Sequence, residues 1–149
     1  MKNDCDIVAY TDGGARGNPG PAAVGVVIQD SAGHTIRRFG APMGIATNNE
    51  AEYAAVILAL KKIKAILGGK KAKDARLEIR MDSELIVRQL RGEYKIKEER
   101  LFPYFIRAWN LRMDFGAVSY RHIPRAQNSA ADEEVNAALD RGEQKLFSD

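Results

Sequence analysis

Cysteine, histidine and tryptophan are nearly missing from this chain: one, two and one residue respectively among 149. A lone cysteine, Cys5, excludes an internal disulfide framework and suits a reducing, cytoplasmic setting. So few Cys and His also leave no cluster of the thiolate and imidazole ligands that a zinc centre uses. No apolar run approaches the roughly 18 residues of a membrane span, and the start MKNDCDIVAY is too polar for a secretory signal. Compositional bias is absent as well. With 13 Gly, 5 Pro, 45% hydrophobic and 29% charged residues, the chain is not collagen-like, disordered or low-complexity. What remains is the composition of one globular domain over residues 1–149, expected to be a monomer and long enough to bury roughly 68–70% of its unfolded surface.

Charge gives little at first sight. The formal sum of +3 is a weak pointer to nucleic acid, but it is unevenly placed. Residues 1–60 carry four Lys/Arg against six Asp/Glu, and residues 61–149 carry nineteen against fourteen. The densest basic stretch, Lys61 to Lys73 around Gly68-Gly69, reads as the solvated end of a helix, where lysines complement the macrodipole.

Periodicity supplies the elements. The run from Asp6 to Asp12 is rich in strand formers and leads into the turn-like GGARGNPGPAA. Val24–Ile28 and Thr35–Phe39 form two further strands around the turn Asp30-Ser31-Ala32-Gly33, with Gly25 allowing close backbone approach. From Thr47 the period changes to that of a helix. Thr47 and Glu50 form a capping box, an apolar stripe follows, and the helix stops near Gly68-Gly69. A fourth strand spans 76–82, a short helix 83–90, and a third helix 100–113 with Pro103 in its first turn and Trp109 in the core beside Phe105 and Met113. A fifth strand over 117–123 stops at Pro124, and Asn128 or Ser129 caps a final helix. The order βββαβααβα specifies an α/β protein with one mixed sheet and helical layers.

Four carboxylates stand out in this frame. Asp12 shares a strand face with Val8 and Tyr10, where an unpaired ion costs several kcal/mol. Asp82 ends the fourth strand, Glu52 lies one turn into the first helix beyond the capping acid Glu50, and Asp132 lies in the first turn of the last helix. Singly each has an ordinary explanation: a turn residue for Asp12, an N-cap for Asp82, a surface charge for Glu52 and a dipole partner for Asp132. If the two strands are neighbours, however, the four anions converge, and their repulsion calls for divalent cations. An all-oxygen set suits Mg²⁺ or Mn²⁺, and two such ions suit phosphoryl-transfer chemistry.

The segments YTDGGARGNPGP, TNNEAEYAA, MDSELIVRQL and NSAAD, in this order and spacing, resemble the type 1 ribonucleases H over about residues 7–141. The resemblance implies a five-stranded mixed sheet with strands 1–3 antiparallel, and hydrolysis of the RNA strand of RNA–DNA hybrids to 5′-phosphate and 3′-hydroxyl ends. It implies Asp12, Glu52, Asp82 and Asp132 as the catalytic, metal-binding set for two Mg²⁺ ions, with Mn²⁺ as a substitute. One ion falls to Asp12 and Asp132, the other to Asp12, Glu52 and Asp82. It also assigns Gly13, Gly14 and Ala15 to backbone contact with RNA 2′-hydroxyls, and Asn18, Asn48 and Asn49 to polar contacts with the hybrid. Turn chemistry for Asn18 and helix entry for Asn48 and Asn49 are the competing explanations.

The chain departs from some relatives in three ways. His122 lies ten residues before Asp132, the spacing of a mobile-loop His that assists catalysis in many of them, but it sits at a strand end before Pro124 with no flanking glycine. Arg125 is the alternative assisting residue. The segment RGEYKIKEERLFPYF is shorter and more mixed in charge than the basic protrusion of some relatives, and no hybrid-binding domain precedes residue 7. Competing functions are a non-catalytic nucleic-acid-binding module of the same fold, and a nuclease acting on double-stranded RNA or DNA.

Overall fold

The computed structural model describes the backbone of residues 5–148 and the side chains of residues 5–142. Five strands form one sheet: β1 (Ile7–Ala15), β2 (Gly20–Asp30), β3 (Thr35–Ala46), β4 (Arg76–Met81) and β5 (Ala117–His122). Their spatial order is β3-β2-β1-β4-β5, with β1, β2 and β3 antiparallel and β4 and β5 parallel to β1. The expected five-stranded mixed sheet is therefore the observed one. The helices are α1 (Asn48–Leu67), α2 (Gly69–Ala72), α3 (Glu84–Leu90), α4 (Phe102–Arg112) and α5 (Ser129–Ser148).

One sheet face carries the main core. Ile7, Ala9, Val26 and Ile28 meet Tyr53, Val56 and Leu60 of α1, while Leu77 and Ile79 of β4, Ile86 of α3 and Ala108 of α4 close the same cluster. The opposite face is covered by α5, through Ala23 against Val135, Ala138 and Leu139. Burial at about 25 cal/mol per Å² of apolar surface makes these two layers the main stabilising term.

Local signals explain the helix starts. The capping box closes as expected: the Thr47 N–H donates to Glu50 Oε1 at 3.0 Å and the Glu50 N–H donates to Thr47 Oγ1 at 3.2 Å. At α3 the cap is Ser83, whose Oγ accepts from the Ile86 N–H at 3.3 Å. Asp82 is thus not needed as a cap. Gly68, at φ +80°, ends α1, and the single turn α2 follows where only a stop is expected.

Several expectations are corrected. β1 continues three residues past Asp12, pairing Gly13 with Val24, Gly14 with Ala23 and Ala15 with Ala22. β2 starts at Gly20 rather than Val24, and β3 runs to Ala46 rather than Phe39. In the glycine-rich stretch Gly17, at φ +96°, is a turn residue, but Gly13 is a strand position whose side chain is missing because a helix lies on it. A Cβ on Gly13 would overlap the backbone of Ala51 in α1, and one on Gly25 would overlap the carbonyl oxygen of Ala131 in α5.

Asn128 is not a helix cap. It is buried in a 3₁₀ turn over Arg125–Asn128, and its side-chain amide donates to the Thr11 carbonyl at 2.9 Å. Trp109 is not in the core: it is 45% exposed, and Met113 is 67% exposed. α4 fully buries only Ala108, so the helix presents the Trp109 side outward.

Candidate active site

Asp12 lies on β1 next to its antiparallel partner Gly25 on β2, and Gly25 is in turn paired with Gly40 on β3. These two glycines seat the first turns of α5: a Cβ on Gly25 would meet the Ala131 oxygen, and one on Gly40 would lie 2.6 Å from the Glu134 oxygen. The helix therefore approaches within backbone distance, and Asp132 arrives beside Asp12. Gly13 does the same on the other face, where α1 rests on it at the Ala51–Glu52 peptide and delivers Glu52. The parallel pairing of β4 with β1 brings Asp82, one residue past the end of β4, to the same end of the sheet.

Oxygen atoms of Asp12, Glu52 and Asp82 lie within 4.8 Å of one another, and all three residues are half-buried. Asp132 stands next to Asp12, sharing a carboxyl–carboxyl hydrogen bond with it, outside that tightest group of three. Burial, then the charges of Asp82 and Asp132, the shared hydrogen bond and Glu52 push the Asp12 carboxyl up to about 8. Burial and Asp82 push Glu52 up to about 7, against a hydrogen bond from Ser83 and the charge of Arg125. Among the described residues the charge of Arg125 acts on Glu52 against the crowding of the carboxylates. The carboxylate cleft, about 400 Å³, is lined by two arginines, Arg125 and Arg16, and the latter is held by Asp140 at 2.7 Å. Crowded half-buried carboxylates with raised pKa values and an all-oxygen donor set fit divalent cations.

The neighbouring expected residues are also placed. Gly13, Gly14, Ala15 and Asn48 line the cleft. The Ala15 N–H donates to Asn48 Oδ1 at 2.9 Å, and the Asn48 N–H donates to Asn18 Oδ1 at 3.0 Å. Asn18 and Asn48 thus hold the end of β1 against the start of α1 with their carbonyl oxygens. Asn49 donates its amide to Glu98 Oε1 at 2.8 Å. His122 is exposed at the end of β5, opposite Met81, and does not line the cleft, whereas Arg125 does.

Sequence reading missed four residues here. Ser83 combines helix capping with a hydrogen bond to Glu52. Asn136, one turn after Asp132, donates to its Oδ2 at 3.3 Å. Asn128 fastens the start of α5 to the residue before Asp12. Glu98 holds Asn49 from a loop nearly fifty residues away. The i, i+4 spacing of Asn136 from Asp132 was the one visible signal; the other three contacts depend on tertiary approach.

Known proteins share this arrangement. The family model described as reverse transcriptase-like matches residues 10–138. The structure is similar to that of LC11-RNase H1 in complex with an RNA/DNA hybrid, with a TM-score of 0.87, 48% identity, and coverage of 91% of this chain and 98% of that one. The chain belongs to the type 1 ribonuclease H family. It is also 42% identical over 134 residues to a ribonuclease HI of Halobacterium salinarum, covering 90% of this chain and 64% of that relative. A bifunctional protein of Mycobacterium tuberculosis is 36% identical over 144 residues, of which this chain spans 38% of the length. The chain therefore corresponds to between about two fifths and two thirds of these two curated relatives. Among the described residues no helix is long and apolar enough to cross a membrane.

Proposed function

We propose that this protein is an endoribonuclease that hydrolyses the RNA strand of RNA–DNA hybrids, leaving 5′-phosphate and 3′-hydroxyl ends. The observation that carries the reading is the convergence of Asp12, Glu52 and Asp82 within 4.8 Å, with Asp132 beside Asp12, at the sheet end of a ribonuclease H fold. The reading takes residues 1–149 as a single catalytic domain that acts as a cytoplasmic monomer.

Asp12, Glu52, Asp82 and Asp132 would hold two divalent cations, Mg²⁺ or Mn²⁺. When bound, these supply a lowered pKa for the attacking water and charge neutralisation at the leaving 3′-oxygen. The protein's own part is positioning. Asp12 projects between the two flanking helices because Gly13 and Gly25 let α1 and α5 close on the sheet. Ser83 and Asn136 orient Glu52 and Asp132 by hydrogen bonds, as outer partners do for ligating carboxylates. Gly13 and Gly14 line the cleft, and Gly14, whose Cβ position meets only Val135, leaves the backbone open there, where only close approach could sense a 2′-hydroxyl. Asn18, Asn48 and Asn49 use part of their hydrogen-bonding capacity on the protein and keep the rest for sugar and base edges. Arg125 sets a positive charge by Glu52 and, in this reading, is the assisting residue in preference to His122.

The test is direct. Matched RNA–DNA, RNA–RNA and DNA–DNA duplexes are incubated with Mg²⁺ or Mn²⁺, and the expected result is internal cleavage of RNA in the hybrid alone. A hybrid left intact with both ions points to a binding module. Cleavage of either homoduplex at a comparable rate points to the broader nuclease.

A further inference from the structure

The outer face of α4 carries Phe102, Ile106, Trp109 and Met113 at 44%, 56%, 45% and 67% exposure. Their spacing of four, three and four residues places them on one stripe, about 16 Å long at 1.5 Å per residue. Taking about 150–250 Å² for a full large side chain, the stripe exposes on the order of 400 Å², within the range of patches that bind partners. The buried side of the same helix already packs against α1 through Ala108, Tyr104 and Phe105, so the stripe is surplus to the core.

Within α4 itself the charge flanking the stripe has one sign, with Glu99 as an exposed acid at its N-terminal end. α4 contains Arg107 and Arg112 and no carboxylate, and neither arginine forms an ion pair among the described residues. Of the other nearby acids, Glu98 is held to Asn49, Asp114 to Lys64 and Glu50 to Tyr104. A second copy of the chain is a poor match. Two-fold pairing of the stripe would bring the arginines of the two copies together. Nucleic acid is a poor match too. The Trp109 ring is stacked with Phe105 one turn before it, at 6.4 Å and 20°, and covered by Arg112 one turn after it, at 4.5 Å, which leaves no clear face for a base.

We propose that the Phe102–Met113 face of α4 is a docking site for an amphipathic helix of a partner protein, with apolar residues at i, i+3/i+4 and i+7 and flanking carboxylates facing Arg107 and Arg112. This is helix-on-helix recognition, with apolar anchors giving affinity and the arginines setting partner choice. The stripe lies outside the carboxylate cleft, so docking and hydrolysis are separable.

Trp109 is the chain's single tryptophan and reports directly on this face. The experiment titrates the protein with two synthetic helical peptides of about 18 residues that share a leucine stripe, one flanked by Glu and the other by Lys. The expected result is a saturable blue shift of Trp109 emission with the Glu peptide, at least about tenfold tighter than with the Lys peptide and weakened by salt. Ile106→Glu/Met113→Glu abolishes the shift while leaving the circular dichroism spectrum and hybrid hydrolysis unchanged. Four results would each overturn the proposal: no shift with either peptide, equal affinity for both, dimerisation in light scattering that the double variant removes, or a comparable shift on adding hybrid duplex or anionic vesicles.

Discussion

Replacing Asp12 by Asn tests the electrostatics of the site without relying on catalysis. The ordinary carboxyl value of 3.8 becomes about 8 in the folded protein, because the side chain is half-buried and faces Asp82, Asp132 and Glu52. Between those two values the folded protein retains a proton on Asp12 that the unfolded chain has lost. The unfolded state then binds fewer protons, so stability falls as pH rises through this window and levels off above about 8. At about 1.4 kcal/mol per pH unit the full rise corresponds to roughly 5–6 kcal/mol. Water at the open mouth of the cleft screens part of it, and a loss of roughly 3 kcal/mol is expected, a large share of a typical 5–15 kcal/mol stability. Glu52, raised to about 7, adds a decline that ends near pH 7 and persists in the variant. Urea denaturation in EDTA at pH 5, 7 and 9 separates the two contributions. Asp12→Asn should be more stable than the wild type at pH 9 by roughly 3 kcal/mol, with a smaller gap at pH 5. Adding Mg²⁺ at pH 9 should stabilise the wild type far more than the variant. A wild type whose stability does not fall from pH 5 to 9, or a variant no more stable than it at pH 9, would refute the reasoning.

Three further expectations follow from single contacts. Gly13→Ala should cost about 3 kcal/mol or more in urea melts, because its Cβ overlaps the α1 backbone. Gly14→Ala should be tolerated, since its Cβ meets only Val135 Cγ1 at 3.9 Å. Glu98→Ala should raise KM for the hybrid by about two- to tenfold, the worth of one hydrogen bond, with kcat unchanged; Glu98→Gln, which can still accept from Asn49, should restore it. His122→Ala should keep most of the activity while Arg125→Ala lowers kcat on the order of tenfold. The reverse ranking in single-turnover assays would return the assisting role to the strand-end histidine.

Much of this molecule was legible as one-dimensional pattern. The Thr47–Glu50 box fixes where α1 begins, because cap and reciprocal acid lie three residues apart and satisfy each other's backbone. Leu77, Ile79 and Met81 alternate into the core, and that alternation alone identifies β4. Asp12 stood out because it shares a strand face with Val8 and Tyr10, where an unpaired anion is costly, and Glu52, Asp82 and Asp132 because helix starts and a strand end could bring them to it. Such signals are local, and the chain carries them without its fold.

What tertiary structure alone decided is where close approach matters. Gly13 looks like a turn residue in sequence and Gly40 lies just past the expected end of its strand, yet both are strand positions, and with Gly25, where close backbone approach was expected, their missing side chains admit α1 and α5. Trp109 has the spacing of a core residue and is exposed, because the space between α1 and α4 is already filled by Ala108 and Tyr104. Asn128 looked like a cap and instead ties α5 to Thr11, and Glu98 reaches Asn49 across 49 positions of sequence. The sequence determined the elements and the charges because capping and periodicity act over a few residues. The fold determined the site because bringing four like charges together depends on how closely two helices can rest on one sheet, and that depends on volume in three dimensions.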